Sequence, residues 1–384
     1  MSDLEIRRLK KEDCSELTEF LNNVFTIQNG KEMHFEDLYP RIFRESEKTM
    51  GWHLAAKDNG KICGVVASYP FKYHVGDMVI NTAAMGNVAV DTSYRGQGLM
   101  QKLMNEICRQ NKEEGLDMCY LHGDRWRYRH FGFERCGTEV NYHIKSSMMR
   151  DYDIKKCITL TKLTKENNAL TSRLYEFYKT QQTYEERDLE TFYSALTAKG
   201  QITYVICYAD DEKVRGYITV GISQTSIIEL ALEDNSVFLD VIKTHMNENN
   251  VEVVYFSVPA YHGAIPYAAE YADRYTVFQP GNFLIFNFKN VAEAFMREKN
   301  KYENIPDGEI TIESDVFGKW KIIKNGNDII IDSFTGNADF LLEGYSAYQF
   351  IFGTLPYCGK IENQDKVMLA KSWFPLPLYA PYLS

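Results

Sequence analysis

The sequence lacks any apolar run long enough to cross a membrane, and its N-terminus, MSDLEIRRLKKEDC, has no apolar segment behind its charged residues. A membrane helix needs about 20 mostly apolar residues, and a signal peptide needs an apolar segment near its start. These absences predict a cytoplasmic protein that has no membrane partner.

The cysteine and histidine spacings of metal sites are also missing, because no CxxC, HxxxH or HExxH occurs. Scattered cysteines in a cytoplasmic chain are typical of reduced thiols. We therefore expect neither a disulfide framework nor a structural or catalytic metal. The eight cysteines are Cys14, Cys63, Cys108, Cys119, Cys136, Cys157, Cys207 and Cys358.

The charge balance has no basic excess, since the formal net charge is -10. Binding to nucleic acid needs a basic surface, so we expect no nucleic-acid partner. The chain has 384 residues, 45% of them hydrophobic and 25% charged, which predicts a soluble protein of two or three domains. Aromatic residues reach 14%, which indicates large apolar areas at domain or subunit interfaces.

The first unit, residues 1–145, combines helical and strand patterns. Three strand-like runs occupy residues 52–90, with DNGK as a hairpin turn between the first two. The segment DTSYRGQGLM follows them, then a helix with apolar residues at helical spacing, then the strand LDMCYLH. This order predicts an α+β fold whose central feature is one strand–turn–helix.

Residues 146–290 repeat this order of helices and strands, which predicts a second copy of the same fold. Its segment ALEDNSVF, at the place of the glycine-containing turn, has neither glycine nor arginine. Residues 291–384 form a third, different α+β unit. It ends in SWFPLPLYAPYLS, whose prolines exclude a helix and whose aromatic residues predict an extended tail docked on the protein.

The turn itself has a chemistry that fits an anion. Glycines allow backbone N–H groups to wrap a phosphate at the N-terminus of a helix, where the helix dipole is positive. Arg95 and Gln97 would add side-chain donors. The same glycines also fit an ordinary turn that needs positive φ angles, and from these residues alone both interpretations stay open.

The stretch VAVDTSYRGQGLMQKLM resembles the acetyl-CoA site of GCN5-related N-acetyltransferases (GNAT). That family has Arg or Gln, two residues, Gly, one residue, then Gly or Ala. Arg95 and Gly98 match this pattern, and Met100 occupies the last place. The strand before it, the helix after it and the next strand give the resemblance its specificity.

Met100, the later RYRHFGFE, the altered second unit and the final α+β unit together resemble the Eis (enhanced intracellular survival) type of acetyltransferase. The resemblance implies a catalytic GNAT domain at residues 1–145, a degenerate GNAT-like domain at 146–290, and a sterol-carrier-protein-like domain with the tail at 291–384. It also implies a closed homo-oligomer, in some members a hexamer.

The resemblance assigns acetyl-CoA as the co-substrate and implies its contacts by position. One strand would pair through its backbone with the pantetheine arm, the turn would wrap the pyrophosphate, and the end of the next strand would flank the arm. The residues implied are Val88, Ala89 and Val90 on the strand, Arg95, Gly96, Gln97, Gly98, Leu99, Met100 and Gln101 at the turn, and Gly123 and Asp124.

Acetyl transfer to an amine needs a proton donor for the departing thiolate and a base for the amine. The resemblance assigns the acid to Tyr128 in RYRHFGFE. Three arginines of this motif, Arg125, Arg127 and Arg129, are expected around its phenol. Packing is the alternative role for any one of 26 tyrosines.

The base of this family is the C-terminal carboxylate, here that of Ser384, which would return to the first domain. Two alternatives stay open: the tail covers only the last domain, or His122 acts as the base. Glu32, Glu36 and Asp37 would line the substrate wall or form a solvated helix face.

The expected acceptor is a primary amine, such as an aminoglycoside, a polyamine, a lysine or another small molecule. One alternative is a non-catalytic protein that binds acyl-CoA or lipid in its C-terminal domain. Another is a scaffold in which the acetyltransferase fold only binds proteins; the intact Gly96, Gly98 and Tyr128 argue against it.

Overall fold

The computed structural model describes residues 4–211, 213–355 and 364–381. These residues form three mixed sheets with helices packed on them, which is an α+β fold. The strands are β1 Leu4–Arg8, β2 His53–Asp58, β3 Lys61–Val75, β4 Met78–Val90, β5 Met118–Leu121, β6 Glu134–Cys136, β7 Glu139–Lys145, β8 Ile158–Lys162, β9 Thr183–Glu185, β10 Ile202–Tyr208, β11 Val214–Val220, β12 Ser226–Leu232, β13 Val253–Pro259, β14 Arg274–Phe278, β15 Gly281–Ile285, β16 Gly308–Ser314, β17 Gly318–Asn325, β18 Asp328–Ser333 and β19 Phe340–Leu342.

The helices are mostly amphipathic and cover the sheets. They are α1 Cys14–Asn29, α2 Phe35–Leu38, α3 Glu47–Met50, α4 Leu99–Glu113, α5 Arg125–Tyr128, α6 Asn168–Lys179, α7 Leu189–Leu196, α8 Phe238–Asn249, α9 Ile265–Tyr271, α10 Phe288–Glu303, α11 Gly344–Phe352 and α12 Gln364–Trp373. Within the described ranges, no helix combines the length and apolar character that a membrane span requires.

The first sheet has eight strands in the order β1-β2-β3-β4-β5-β15-β6, with β9 paired to β3. The predicted DNGK hairpin is confirmed: Asp58 pairs with Lys61, and Asn59 and Gly60 have φ of 50° and 79°. Helix α4 packs on β3 at Gly64, where an added Cβ would lie 3.1 Å from Leu103 and 3.2 Å from Leu99. This close contact fixes the start of α4 against the sheet.

The second sheet has seven strands in the order β14-β7-β13-β12-β11-β10-β8, and the third has four in the order β18-β17-β16-β19. Strand β7, residues 139–145, lies in the second sheet, and β15, residues 281–285, lies in the first. The sheets therefore do not follow the proposed boundaries at 145 and 290 at these two strands, and the domain limits stay a prediction.

One apolar core joins the first sheet to the third unit. Tyr73 and Ile80 of the first sheet share it with Phe295 of α10, residues of the third sheet, and the tail. The predicted docking of the tail is confirmed for the described residues 374–381, where Phe374, Leu376, Leu378 and Ala380 are buried. Seven of the eight cysteines lie in the described ranges, and no disulfide links them.

Candidate active site

Strands β4 and β5 separate from each other after a short parallel pairing. They pair at Thr82–Met118, Ala83–Cys119 and Ala84–Tyr120, and no further pair between them follows among the described residues. The predicted residues Val88, Ala89 and Val90 lie in the separated part of β4, which still pairs with β3 on its other edge. One backbone edge of β4 therefore faces an opening in the sheet.

A bulge marks this part of β4. Ala67 of β3 pairs with Gly86, but Val65 pairs with Ala89, so β4 carries an extra residue here. Asn87 adopts a φ of 50°, and its amide donates to the hydroxyl of Tyr69 at 2.5 Å. A bulge twists a strand and interrupts its pairing, which fits the separation of β4 from β5.

The turn after β4 presents backbone rather than side chains. Gly96 and Gly98 have φ of 76° and 74°, and an added Cβ at either position would meet no atom within 4 Å. Helix α4 starts at Leu99, and Lys102 N–H is the first to bond back, to Gly98 O at 3.1 Å. The N–H groups of residues 96–101 have no backbone acceptor among the described residues, and the space beside Gly96 and Gly98 is open. This is the geometry of an anion site.

The predicted side-chain donors of the turn bond to the chain itself. Arg95 Nε donates to Val90 O at 3.3 Å, and Gln97 Nε2 donates to Ser93 O at 3.2 Å. Both side chains are exposed and hold the turn against the end of β4. An anion would thus meet mainly backbone N–H groups here.

The three residues that open α4 have different exposures. Leu99 is buried in the core beneath the sheet, Met100 is half-buried and Gln101 is exposed. These three residues would therefore contribute to an anion site through their backbone N–H groups and not through a shared side-chain property. The side chain at position 100 packs against the apolar core around Leu103, so a glycine or alanine is not required there by the described contacts.

Gly123 and Asp124 lie two and three residues after the end of β5, the strand across the opening from β4. Asp124 Oδ1 accepts a hydrogen bond from Arg127 N–H at 2.9 Å and so caps α5. The carbonyl of Gly123 accepts from Asn282 Nδ2 at 3.0 Å and from Arg135 at 3.3 Å. Asn282 is buried on β15, and sequence reasoning missed it because it lies 159 residues away along the chain.

Tyr128 ends α5 and packs against Gly123. A Cβ added to Gly123 would lie 2.5 Å from Cε2 of the Tyr128 ring. Burial raises the pKa of Tyr128 above that of an ordinary phenol, while Arg127 opposes the shift. The structure thus brings together Gly123, Asp124 and a phenol that stays protonated at neutral pH.

The three arginines of the motif are not arranged as predicted. Arg125 donates to Glu134 at 2.7 Å and stacks on Tyr345 at 4.1 Å. Arg129 stacks on the exposed ring of Trp126. Of the three, Arg127 is the one whose charge and hydrogen bond act on Tyr128 and oppose the rise of its pKa.

The tail reaches the first sheet at β5. The hydroxyl of Tyr120 donates to the carbonyl of Pro381 at 2.7 Å. Tyr120 pairs with Ala84, where β4 and β5 begin to separate, so the tail passes close to the opening. Ser384, the predicted source of the base, lies outside the described residues.

His122 lies between Tyr120 and Gly123, at the end of β5. Its ring meets that of Tyr120 edge-on at 6.1 Å. Partial desolvation lowers the pKa of His122, and the positive charges of Lys199 and Arg135 lower it further. Lys199 belongs to the second unit, and no local pattern in the sequence places it near this strand.

Glu32, Glu36 and Asp37 are exposed. Glu32 lies 3.4 Å from the ring of His34, and Glu36 accepts from Asn22 at 3.0 Å. Exposure and local partners fit the solvated helix face, so nothing in these contacts favours the substrate wall. Among the described residues, no group of three or more His, Cys, Asp or Glu is arranged to hold a metal ion.

The second unit repeats the turn that precedes the glycines. Asp91 Oδ1 accepts from Ser93 N–H at 2.8 Å, and Asp234 Oδ1 accepts from Ser236 N–H at 2.8 Å. Each aspartate starts a short 3-10 turn after the equivalent strand, β4 or β12. The two units therefore share the same local structure up to this point.

The two units differ in how the helix begins after the 3-10 turn. In the first unit residues 95–98 separate the 3-10 turn from α4, whereas in the second α8 begins at Phe238 directly after Val237. Val237 and Phe238 are buried, so apolar side chains fill the start of α8. The second unit therefore has no open glycine turn before α8, and the loss of an anion site there stays a prediction.

Comparisons with known proteins agree with this arrangement. Residues 5–136 match the family model described as an acetyltransferase (GNAT) domain. The uncharacterized N-acetyltransferase YhbS of Escherichia coli strain K12 is 36% identical over 101 residues, which is 24% of this chain and 59% of YhbS. This chain thus spans about three-fifths of the curated relatives it matches.

Solved structures match along nearly the whole chain. A probable N-acyltransferase from Enterococcus faecalis V583 has a TM-score of 0.71 and 14% identity, over 97% of both chains. Eis1 from Mycobacterium abscessus has a TM-score of 0.67 and 13% identity, over 97% of this chain and 98% of Eis1. At these identities the likeness shows the fold alone, an α+β fold with three mixed sheets.

Proposed function

We propose that this chain, whose residues 5–136 form a GNAT acetyltransferase domain, transfers the acetyl group of acetyl-CoA to a primary amine. The observation that carries the proposal is the open glycine turn at the start of α4, beside the opening between β4 and β5. A diphosphate and an extended amide-bearing arm fit these two features together.

Different residues of the first unit would bind different parts of acetyl-CoA. The N–H groups from Gly96 to Gln101 would hold the pyrophosphate, because they are unpaired and no Cβ blocks the turn at its glycines. The backbone edge of β4 from Val88 to Val90 would pair with the pantetheine arm, and Gly123 would flank it. Acetyl-CoA supplies the acetyl group as a thioester.

Tyr128 would donate the proton that the departing thiolate takes up. Its raised pKa keeps the phenol protonated at neutral pH, which a general acid requires. For the base we propose the carboxylate of Ser384, because the described tail already reaches Tyr120. His122 is the alternative base, since its lowered pKa leaves the imidazole neutral.

The acceptor is proposed only as a primary amine. Aminoglycosides, polyamines, lysines and other small amines would form the panel for a thiol-release assay with acetyl-CoA. We expect thiol release with at least one amine, at a rate that depends on both substrates. If no amine in the panel increased thiol release, the proposed transfer reaction would be contradicted. The binding of acetyl-CoA is a separate question and is measured separately.

Calorimetric titration tests the co-substrate site. We expect one acetyl-CoA per chain, and no heat with NAD or ATP. Gly98→Asp should abolish the binding, because it places a side chain and a negative charge where the pyrophosphate would lie. Gly115→Asp is the matched control: it is the same change at a glycine with a φ of 78° and open space, at the other end of α4.

The control should bind acetyl-CoA like the parent chain. Equal loss of affinity in both variants would mean that strain at a positive φ, not the phosphate, explains the effect. Two acetyl-CoA molecules per chain would contradict the degenerate second unit.

A further inference from the structure

Lys199 is a residue of the second unit that lies against the first. It belongs to the short 3-10 turn Ala198–Gly200, which precedes β10. This turn packs against helix α2 of the first unit. An amine of the second unit is therefore held at the surface of the first.

One side of this amine leads to strand β4. Nζ of Lys199 lies 4.9 Å from the ring centre of Tyr39, within the range of a cation–π contact. Burial raises the pKa of Tyr69, and the nearby phenol of Tyr39 raises it further. The hydroxyl of Tyr69 in turn accepts a hydrogen bond from Asn87 at the bulge of β4. These neighbours connect Lys199 with the strand that would pair with the pantetheine arm.

The other side of the amine leads to the end of β5. The positive charge of Lys199 lowers the pKa of His122, so the two side chains are close enough to interact. His122 directly precedes Gly123, which would flank the same arm. Lys199 therefore has neighbours on both strands that border the opening, where the proposed function places the acetyl thioester.

The turn holds Lys199 in a conformation that few lysines adopt. Its φ and ψ are 56° and 23°, in the left-handed region. Gln201 N–H donates to Ala198 O at 3.0 Å and closes the turn. Uncommon backbone conformations that the surrounding structure maintains are often found at functional sites. This conformation points to a function for the side chain at position 199.

The amine of Lys199 is also a better nucleophile than that of an ordinary lysine. The residue is half-buried, and desolvation lowers the pKa of Lys199 to about 8. At pH 7 about a tenth of such amines are neutral, against fewer than about one in a thousand at the ordinary lysine pKa. The neutral form attacks a thioester, and desolvation is one way in which proteins activate a lysine.

We propose that Lys199 is a site of self-acetylation, in which its amine accepts the acetyl group of the acetyl-CoA bound by the same chain. The lone pair of Nζ forms a bond to the acetyl carbonyl carbon, and the carbon–sulfur bond breaks. The departing thiolate takes the proton of Tyr128, which solvent replaces, and the attacking nitrogen gives a proton to the base. The products are N-acetylated Lys199 and coenzyme A. This inference rests on the proposed transfer reaction.

The test incubates the full chain with acetyl-CoA and no added amine. We expect intact-mass spectrometry to show the gain of one acetyl group per chain, and thiol release to stop after one equivalent. Peptide mapping should locate the acetyl group on Lys199. Two internal controls should stay unmodified: Lys299 on α10, whose pKa burial also lowers, and the exposed Lys61.

Two substitutions remove the amine. Lys199→Arg keeps a positive charge beside Tyr39 and should abolish the modification. Lys199→Asn repeats the test with a residue that tolerates a positive φ, should the arginine variant not fold. Calorimetric binding of acetyl-CoA shows that the variant used is folded.

The source of the acetyl group is tested separately. Gly98→Asp, which should not bind acetyl-CoA, should leave Lys199 unmodified under the same conditions. In the parent chain, the rate constant of the modification should not depend on the chain concentration.

Three results would overturn the proposal. If the chain acetylates an amine of the panel while Lys199 stays unmodified, the self-acetylation is wrong and the proposed function stands. If the modification persists in Gly98→Asp, or if its rate constant rises with the chain concentration, Lys199 does not react with the acetyl-CoA bound by its own chain. If the parent chain binds no acetyl-CoA, the proposed function is contradicted, and this inference with it.

Discussion

The contact between Gly123 and Tyr128 shows why a glycine stands at the end of β5. Its backbone has no positive φ, but any Cβ at this position would overlap the tyrosine ring. The glycine lets the ring close over the strand end and bury its phenol. Burial in turn raises the pKa of Tyr128, which keeps the proton that an acid must give.

Replacing Tyr128 by Phe removes only the phenolic oxygen. We expect acetyl-CoA binding to persist and turnover to fall by about 10²–10⁴-fold, the usual contribution of general acid catalysis. Calorimetry measures the binding and thiol release measures the turnover. Tyr142→Phe, at a buried tyrosine of β7 in the second sheet, is the control and should leave both unchanged.

The pH profile gives a second readout of the same residue. Because the pKa of Tyr128 is raised above that of an ordinary phenol, the acid is protonated at neutral pH, and turnover should not fall until the pH exceeds the range in which an ordinary phenol ionises. A fall of less than tenfold in the Phe variant would show that another group donates the proton.

Strands β7 and β15 exchange places between the two sheets. After β6 the chain crosses into the second sheet as β7, and it returns to the first as β15, next to β5. Through this return Asn282 comes to hold the carbonyl of Gly123. The end of β5 therefore depends on a segment that lies beyond nearly the whole second unit in the chain.

Glu139, the first residue of β7, lies where the chain crosses from the first sheet to the second, and its carboxyl group is desolvated there. Burial raises its pKa to about 7. A carboxyl group with a raised folded-state pKa contributes stability below its ordinary pKa of about 4.5, and this stability is lost as the pH rises through about 7. The charged form is thus unfavourable in the folded protein at pH 8.

Glu139→Gln should therefore raise the thermal unfolding midpoint at pH 8 by a few degrees and change it little at pH 5. About 1 kcal/mol corresponds to ~2–4 °C for domains of this size. Calorimetric unfolding at the two pH values measures the difference. Glu252→Gln, at an exposed glutamate just before β13, is the control; a pH-independent shift at Glu139 would contradict the interpretation.

At the scale of the whole molecule, the tail connects the last unit with the first. Thr138 N–H donates to Leu378 O at 2.9 Å, and Tyr120 bonds to Pro381. These contacts would hold residues 378–381 in place even if the terminal carboxylate of Ser384 were changed. The position of the base can therefore be tested without releasing the tail.

Amidation of Ser384, or extension beyond it, should cut turnover at least tenfold and keep both acetyl-CoA binding and the unfolding midpoint. The proposed carboxylate is then removed or displaced while the described tail contacts remain. The same extension at the N-terminus is the control. Unchanged turnover would move the base to His122 or to an acid linked through water.

Assembly of several chains is expected from the resemblance to Eis-type proteins. The edge strand β14 leaves Tyr275, Val277 and Phe278 exposed, which offers apolar surface for such contacts. Light scattering at micromolar concentration should give the mass of a closed homo-oligomer, a hexamer being one such assembly. The mass of a single chain would contradict it.

Local features of the first unit could be predicted from the sequence. The DNGK hairpin and the glycine turn depend on φ angles that glycine and asparagine adopt easily, and α4 follows from apolar spacing along one helix face. Each of these preferences acts within a few residues. The missing turn of the second unit was visible for the same reason.

The tertiary structure alone decided the features that join distant segments. One such feature is the sheet that receives β7 and β15, and another is the bond from Asn282 to Gly123. A third is the ion pair of the buried Arg187 with Glu229. Each depends on a contact across more than 40 residues. Periodicity carries no information about such pairings, because many strands of similar pattern could form them. Hydrogen bonding and burial in the assembled core select one of these arrangements.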